Sequence, residues 1–303
     1  AARTTAAFGP AYPREGVGIE VAGNVGAPPE AEELVALGGD GIGLLRTEFL
    51  FLGRAEPPTE QEQVEVLRAM AATLGHDRPI VVRVLDAGGD KPLPFLPAPP
   101  ASNPLLGERG LRLLLERPEV LRAQLRAVLR ASAHGRMRIM FPMVARLEDW
   151  RAARAIFLEE ASRLGIAPVP VGPMVEVPAA AILADAFAAE ADFLSLGTND
   201  LAQYVLGMDR NRPAMAGDLD ALHPAVLRLV ARTADAARAA RRPVSVCGSL
   251  AADPQAIPIL LGLGIDTLSV NVPAIPAVKA RMRELEAAAC RRIALRALEA
   301  ASA

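Results

Sequence analysis

The chain has 303 residues, 33 basic and 35 acidic side chains, a net charge of −2 and 51% apolar residues. That length fills one large α/β domain or two smaller ones, and charge so evenly balanced gives no electrostatic footing for nucleic acid or a membrane surface. The most apolar window, Val177 to Leu196, is broken by Asp185, Glu190 and Asp192, so no membrane insertion is expected. The first residues lack both Met and a basic-then-apolar leader, which leads us to expect a cytoplasmic protein or a piece of one. Cys247 and Cys290 are too few for a disulfide framework, and no Cys/His spacing suggests zinc. Basic residues are arginine throughout except at Lys91 and Lys279.

Residues 1–16 carry Gly, Pro and Thr without a period and are expected to be a linker or a truncated upstream segment, with one domain over 17–303. Ile19 to Ala22 is the first predicted strand, ending near Asn24, and a helix from Pro28 to Leu37 starts with a proline at a permitted first-turn position. Gly41 to Leu45 is strand two and runs into Arg46. Thr59 to Leu74 reads as a helix with a capping box. Strand three, Pro79 to Leu85, carries Arg83 near its end and leads into Asp86-Ala87-Gly88-Gly89-Asp90-Lys91, then into a loop, Pro92 to Pro104, with six prolines. Helices Gly107 to Leu115 and Pro118 to Ala131, strand four (Arg138 to Pro142) and a helix from Leu147 to Leu164 follow. Val169 to Val175 is strand five, ending in Glu176. Asp192 to Leu196 is strand six, ending in Gly197-Thr198-Asn199-Asp200, with a helix between the two strands. Ala225 to Ala240 is helical, Pro243 to Val246 is strand seven before Cys247-Gly248, Pro254 to Leu263 is helical, Thr267 to Val270 is strand eight, and helix runs from Ala274 to the end.

Eight strand-helix units predict a (β/α)₈ TIM barrel rather than an open sheet, whose glycine-rich dinucleotide fingerprint is not found between Gly16 and Gly26. Asn24, Arg46, Arg83, Glu176, Asn199, Asp200, Cys247 and Asn271 then fall at or just after strand ends, on the rim where catalytic groups collect in this fold. Glu176 and Asp200, at the carboxyl ends of adjacent parallel strands, would repel unless a cation lay between them, and Mg²⁺ takes one or two carboxylates plus ligand oxygens. Taken singly, either acid is also accounted for as a helix cap or first-turn acid. Arg46, Arg83, Lys91 and Arg210 suit a multiply charged anion, since arginine forks grip phosphate and carboxylate in two-point contacts. Gly88-Gly89 would let the backbone approach a ligand or make an ordinary turn. Cys247 is a core thiol or, at a strand end, a proton donor that is protonated at neutral pH.

The blocks GIGLLRTEFLFL, RVLDAGGDKPLPFL, NPLLGERGLR, RIMFPM, VGPMVEVPAAA, LSLGTNDLAQYVLGMDR and VCGSLAAD occur in this order from Val17 to Lys279. Together they resemble the phosphoenolpyruvate (PEP)-binding barrel of enzyme I, the PEP-protein phosphotransferase of the bacterial sugar phosphotransferase system, which also occurs in fused multiphosphoryl transfer proteins. Pyruvate phosphate dikinase and PEP synthase are more distantly similar. The resemblance implies that Glu176 and Asp200 bind Mg²⁺ and that Arg46, Arg83, Lys91 and Arg210 hold the phosphoryl group. It further implies that Asn199 and Arg109 assist in substrate binding and that Cys247 protonates the enolate carbon to give pyruvate. It implies a homodimer, and an acceptor histidine on a separate upstream domain that passes the phosphoryl group to a phosphocarrier protein. None of His76, His134 and His223 sits in the expected Ser/Thr-His context, so all three are expected to be structural or surface residues.

Three positions depart from the family pattern: Ser249 stands where Glu usually follows Cys-Gly, Asn211 replaces a glycine, and Glu108 a common aromatic. The first bears on how the thiol regains its proton. Two other functions fit parts of the sequence: a PEP-sensing dimerisation module without chemistry, and a Mg²⁺-dependent lyase or aldolase for which Glu176 and Asp200 suffice.

Overall fold

The computed structural model describes residues 18–89, 93–96, 102–216 and 219–302. The proposed linker, 1–16, lies outside them, as does Lys91. Strands β1 (Glu20–Val25), β2 (Ile42–Arg46), β3 (Pro79–Arg83), β4 (Arg136–Phe141), β5 (Val171–Val175), β6 (Leu194–Leu196), β7 (Val244–Val246) and β8 (Thr267–Asn271) close into a barrel in sequence order. Every pairing is parallel, including the closure of β8 on β1. The expected fold is therefore the observed one.

Alternation along the strands divides the core in two. Leu45, Val82, Ile139 and Val175 belong to the large apolar cluster beneath the helices. Their neighbours Leu44, Val81, Met140 and Met174 form a second, smaller cluster with Phe193 and Cys247, which plugs the barrel interior. Helices cover the outside for reasons visible in the chain. The Glu60–Leu74 helix opens with the anticipated capping box between Thr59 and Glu62. The Pro118–Ala131 helix buries Leu121, Leu125 and Val128 along one face. Trp150, on the Leu147–Leu164 helix, meets Phe141 of β4 edge-on at a centroid distance of 6.0 Å. Cys290 is buried where the Ala287–Glu299 helix crosses Gly262, whose missing side chain leaves room for the Cys290 carbonyl.

Several boundaries differ from expectation. β3 ends at Arg83 rather than Leu85, because the Leu85 N–H donates to the Gln124 side chain (2.8 Å) instead of continuing the ladder. The segment between β5 and β6 forms two short helices, Pro178–Ile182 and Ala184–Glu190. The closing helix is split into Ile275–Arg283 and Ala287–Glu299. A helix that the strand pattern did not disclose, Thr198–Leu206, starts directly after β6 and ends at Gly207 in the left-handed conformation.

Candidate active site

The strand-end groups gather around a cavity of ≈ 580 Å³ at the carboxyl-terminal mouth of the barrel, lined by Arg46, Arg83, Glu176, Asn199, Asp200, Arg210 and Cys247 among others. Among the described residues, no helix is long and apolar enough to span a membrane. His223 caps the Pro224–Ala239 helix by accepting from the Ala225 N–H (3.1 Å), and His76 and His134 are exposed, so the three histidines sit as expected. Asn271 ends β8 exposed and does not line the cavity.

Glu176 follows β5 and is buried, with Oε1 accepting the Met143 N–H at 2.7 Å. Met143 holds a left-handed φ of 54°, uncommon for a residue with a side chain, at the turn whose N–H reaches the acid. Burial, then the neighbouring Asp200 and Asp86, push the Glu176 carboxyl well above the usual carboxylate range, although Arg83 and the Met143 N–H oppose this. Asp200 lies in the first turn of the Thr198–Leu206 helix, so the first-turn reading and the cation reading both describe it. Its two oxygens accept from Arg109 and Arg210, each at 3.0 Å.

Arg109 does not line the cavity; it is 2% exposed and lies behind Asp200. Its Nε and Nη2 fork onto Asp86 at 3.1 and 3.0 Å while Nη1 reaches Asp200. Burial disfavours both guanidinium charges here, yet the acids outweigh it: Asp86 and Asp200 raise the Arg109 pKa, and Glu48, Asp86 and Glu176 raise that of Arg83. Arg83 donates to Glu48 at 2.6 Å. Glu48 Oε2 and Arg83 Nε, both buried, have no hydrogen-bond partner among the described residues. Gly88 and Gly89 carry φ of 92° and 64°, and a side chain at Gly88 would collide with the Glu108 carbonyl at 2.3 Å. The glycine pair thus lets the β3 loop pack against the backbone beside Arg109, bridging Gly88 to Arg109.

Around the thiol the hydrogen-bonding groups are uncharged. Cys247 follows β7, 6% exposed; its thiol donates to the Leu196 carbonyl (3.4 Å) and accepts from the Ser195 hydroxyl (3.6 Å). Burial pushes the thiol up to about 11, with the Ser195 hydrogen bond pulling the other way. Asn24 of β1 donates to the Cys247 carbonyl (3.1 Å) and accepts from Ser269 of β8 (2.7 Å). Ser249 donates through its N–H and hydroxyl to Asn199 Oδ1 at 2.9 and 2.8 Å, fixing that amide at the lip. Gly248 is squeezed between the loops: a side chain there would meet Thr198 Oγ1 at 2.0 Å and Asn199 Oδ1 at 3.0 Å. Arg46 ends β2 exposed, and its side chain makes no hydrogen bond or ion pair to a described residue.

The donor set fits a hard dication. Two carboxylates line one cavity, and burial together with the neighbouring Asp200 and Asp86 makes ionisation of Glu176 costly without a nearby positive charge. Sequence reasoning passed over Asp86, Glu48 and Gln124. The first two assemble the arginines. Gln124, buried, ties Leu85 and Thr47 together, and Thr47 in turn donates to the Arg83 carbonyl at 2.8 Å.

Solved barrels similar to this one include a citrate lyase from Burkholderia xenovorans LB400, 20% identical with a TM-score of 0.55 over 91% of this chain and 78% of that one. A malate synthase magnesium/glyoxylate complex from Haloferax volcanii is 16% identical with a TM-score of 0.52 over 73% of this chain and 60% of that one. At such identity they bear on fold alone. The multiphosphoryl transfer protein of Rhodobacter capsulatus is 47% identical over 98% of this chain and 36% of its own length. The phosphoenolpyruvate-protein phosphotransferase of Geobacillus stearothermophilus is 47% identical over 89% of this chain and 48% of its own length. The chain thus spans half or less of these two relatives. The model of the PEP-utilising enzyme, PEP-binding domain matches residues 4–287, and the chain belongs to that family.

Proposed function

We propose that the mouth binds PEP with Mg²⁺ and releases pyruvate, as the carbon-handling part of a PEP-dependent protein phosphotransferase. The observation that carries this reading is the convergence of Glu176, Asp200, Arg46, Arg83, Arg210 and a protonated Cys247 on one cavity. Arginine forks at Arg46, Arg83 and Arg210 grip the phosphoryl and carboxylate oxygens, and Lys91, outside the described residues, adds a cation to the phosphoryl group. Magnesium, held by Glu176 and Asp200, would supply positive charge to the phosphate and carboxylate oxygens. Asn199 orients the substrate, and Arg109 keeps Asp200 in place from behind. As the P–O ester bond breaks, the phosphoryl group passes to a histidine on a domain outside this chain. The electron pair left on oxygen delocalises as an enolate, and C3 takes the proton of Cys247 Sγ. Onward transfer to a phosphocarrier protein, a homodimeric state and a cytoplasmic site of action complete the proposal and rest on the family resemblance.

Calorimetry with PEP, with and without Mg²⁺, tests the binding step. Saturable, metal-dependent binding is expected, and its absence rejects the reading. Addition of a separately expressed upstream histidine domain should restore histidine phosphorylation; a silent sensing module would bind PEP and transfer nothing.

A further inference from the structure

With Ser249 committed to Asn199, the rim offers the thiol no acid at the position where the family pattern places one. The barrel interior offers a different route. Ser195 of β6 and Ser245 of β7 are register partners, and their hydroxyls are 2.9 Å apart, Ser245 donating to Ser195. Ser195 is fully buried and in turn donates to Cys247 Sγ. Ser245 is only half-buried and lines a separate cavity of ≈ 30 Å³ with Glu20, Arg138 and Thr267, at the amino-terminal end of the barrel. That volume is enough for about one water, and in a lining otherwise largely apolar Glu20, Arg138, Ser245 and Thr267 supply the polar groups that would hold it. A continuous hydroxyl file therefore leads from the foot of the barrel, opposite the substrate, up to the thiol.

We propose that Ser245 and Ser195 form a proton relay that reprotonates Cys247 from the amino-terminal end of the barrel while the mouth is occupied. The inference rests on Cys247 being the proton donor of the proposed function. After Sγ–H has given its proton to the enolate carbon, the thiolate takes the Ser195 hydroxyl proton and the Ser195 oxygen takes that of Ser245. The Ser245 oxygen takes one from a water in the lower cavity, whose hydroxide exchanges with bulk. One proton leaves on pyruvate, one enters from water, and both serines end as they began. Neither hydroxyl touches the substrate; both act through the thiol.

The half-reaction read out is exchange of pyruvate methyl protons for deuterium in D₂O, with Mg²⁺ and the 303-residue chain, because it needs the thiol and its resupply but no phosphoryl acceptor. Ser245→Ala should slow exchange roughly tenfold, a fraction of what general acid-base groups contribute, and Ser245→Thr, which keeps the hydroxyl, should recover it. In the metal-free protein, iodoacetamide labelling of Cys247, located by mass spectrometry, should slow about fivefold in Ser195→Ala, from loss of a hydrogen bond to the thiolate. The same labelling should be unchanged in Ser245→Ala, separating a relay from a packing role. Exchange by the wild type that Ser245→Ala leaves unaltered overturns the relay alone. No exchange by the wild type, with labelling intact, removes Cys247 as donor and the relay with it.

Discussion

The two sides of the barrel mouth solve opposite electrostatic problems. On the side of β2, β3 and β5, Glu48, Asp86 and Asp200 surround Arg83 and Arg109 and outweigh what burial costs the two guanidinium charges, while the same crowding raises the pKa of Glu176 beside them. On the side of β1, β6, β7 and β8, Asn24, Ser269, Ser195 and Cys247 are joined by neutral hydrogen bonds that continue down the barrel to Ser245. In the proposed function the charged side exchanges partners, an arriving anion and cation replacing contacts that the arginines and acids already make. On the neutral side the hydrogen-bond partners of the thiol carry no charge, and Glu176, Arg83 and Arg46 act on it only through space. In the proposed function, sharing one cavity lets a multiply charged ligand and an uncharged acid meet.

Four measurements would break or sharpen that contrast. The largest effect is expected from Cys247→Ala: in the protein joined to its histidine domain it should spare PEP binding and slow pyruvate formation by about 10² to 10⁴, as followed by coupled pyruvate assay. Unaltered turnover would show that the proton comes from elsewhere. Next comes Arg109→Ala, which leaves Asp86 and Asp200 buried beside each other without their shared counter-ion; denaturant unfolding should show a loss of about 3–5 kcal/mol. On the neutral side, Asn24→Ala strands the Ser269 hydroxyl and the Cys247 carbonyl, and the same measurement should show only about 1–3 kcal/mol. A cost equal to that of Arg109→Ala would erase the distinction. The last effect is absent at neutral pH. Folding raises the Cys247 thiol from 9.0 to about 11, so the folded state holds that proton more tightly than the unfolded chain. Stability should therefore fall with rising pH between about 9 and 11, more steeply in the wild type than in Cys247→Ser, as read from denaturation midpoints.

Much of this was legible in the chain, for a physical reason. A parallel barrel forces its functional groups to strand ends, so Arg46, Arg83, Glu176 and Cys247 announced themselves by standing where apolar runs stop. Asp86 stood in the same place, but nothing in the sequence says that a buried arginine 23 residues on will fork onto it. Gln124 was hidden differently: a polar residue on the buried face of an amphipathic helix resembles a surface residue until the partner strand is known. Ser195 and Ser245 lie within apolar strands, and their pairing depends on register, which a periodic pattern does not fix across a crossover. The glycine pair at Gly88 and Gly89 was correctly seen as permissive, yet its close neighbour is protein backbone, because the loop after β3 folds onto the Glu108–Arg109 segment.

Gly248 carries one last consequence. Its missing side chain is the space in which the loop bearing the acid and the loop bearing the thiol lie against each other. A methyl group at that point would act as a wedge and part the two halves of the chemistry without altering either. Gly248→Ala should therefore push the Thr198–Asn199 turn away from Cys247 while leaving every other side chain at the mouth in place.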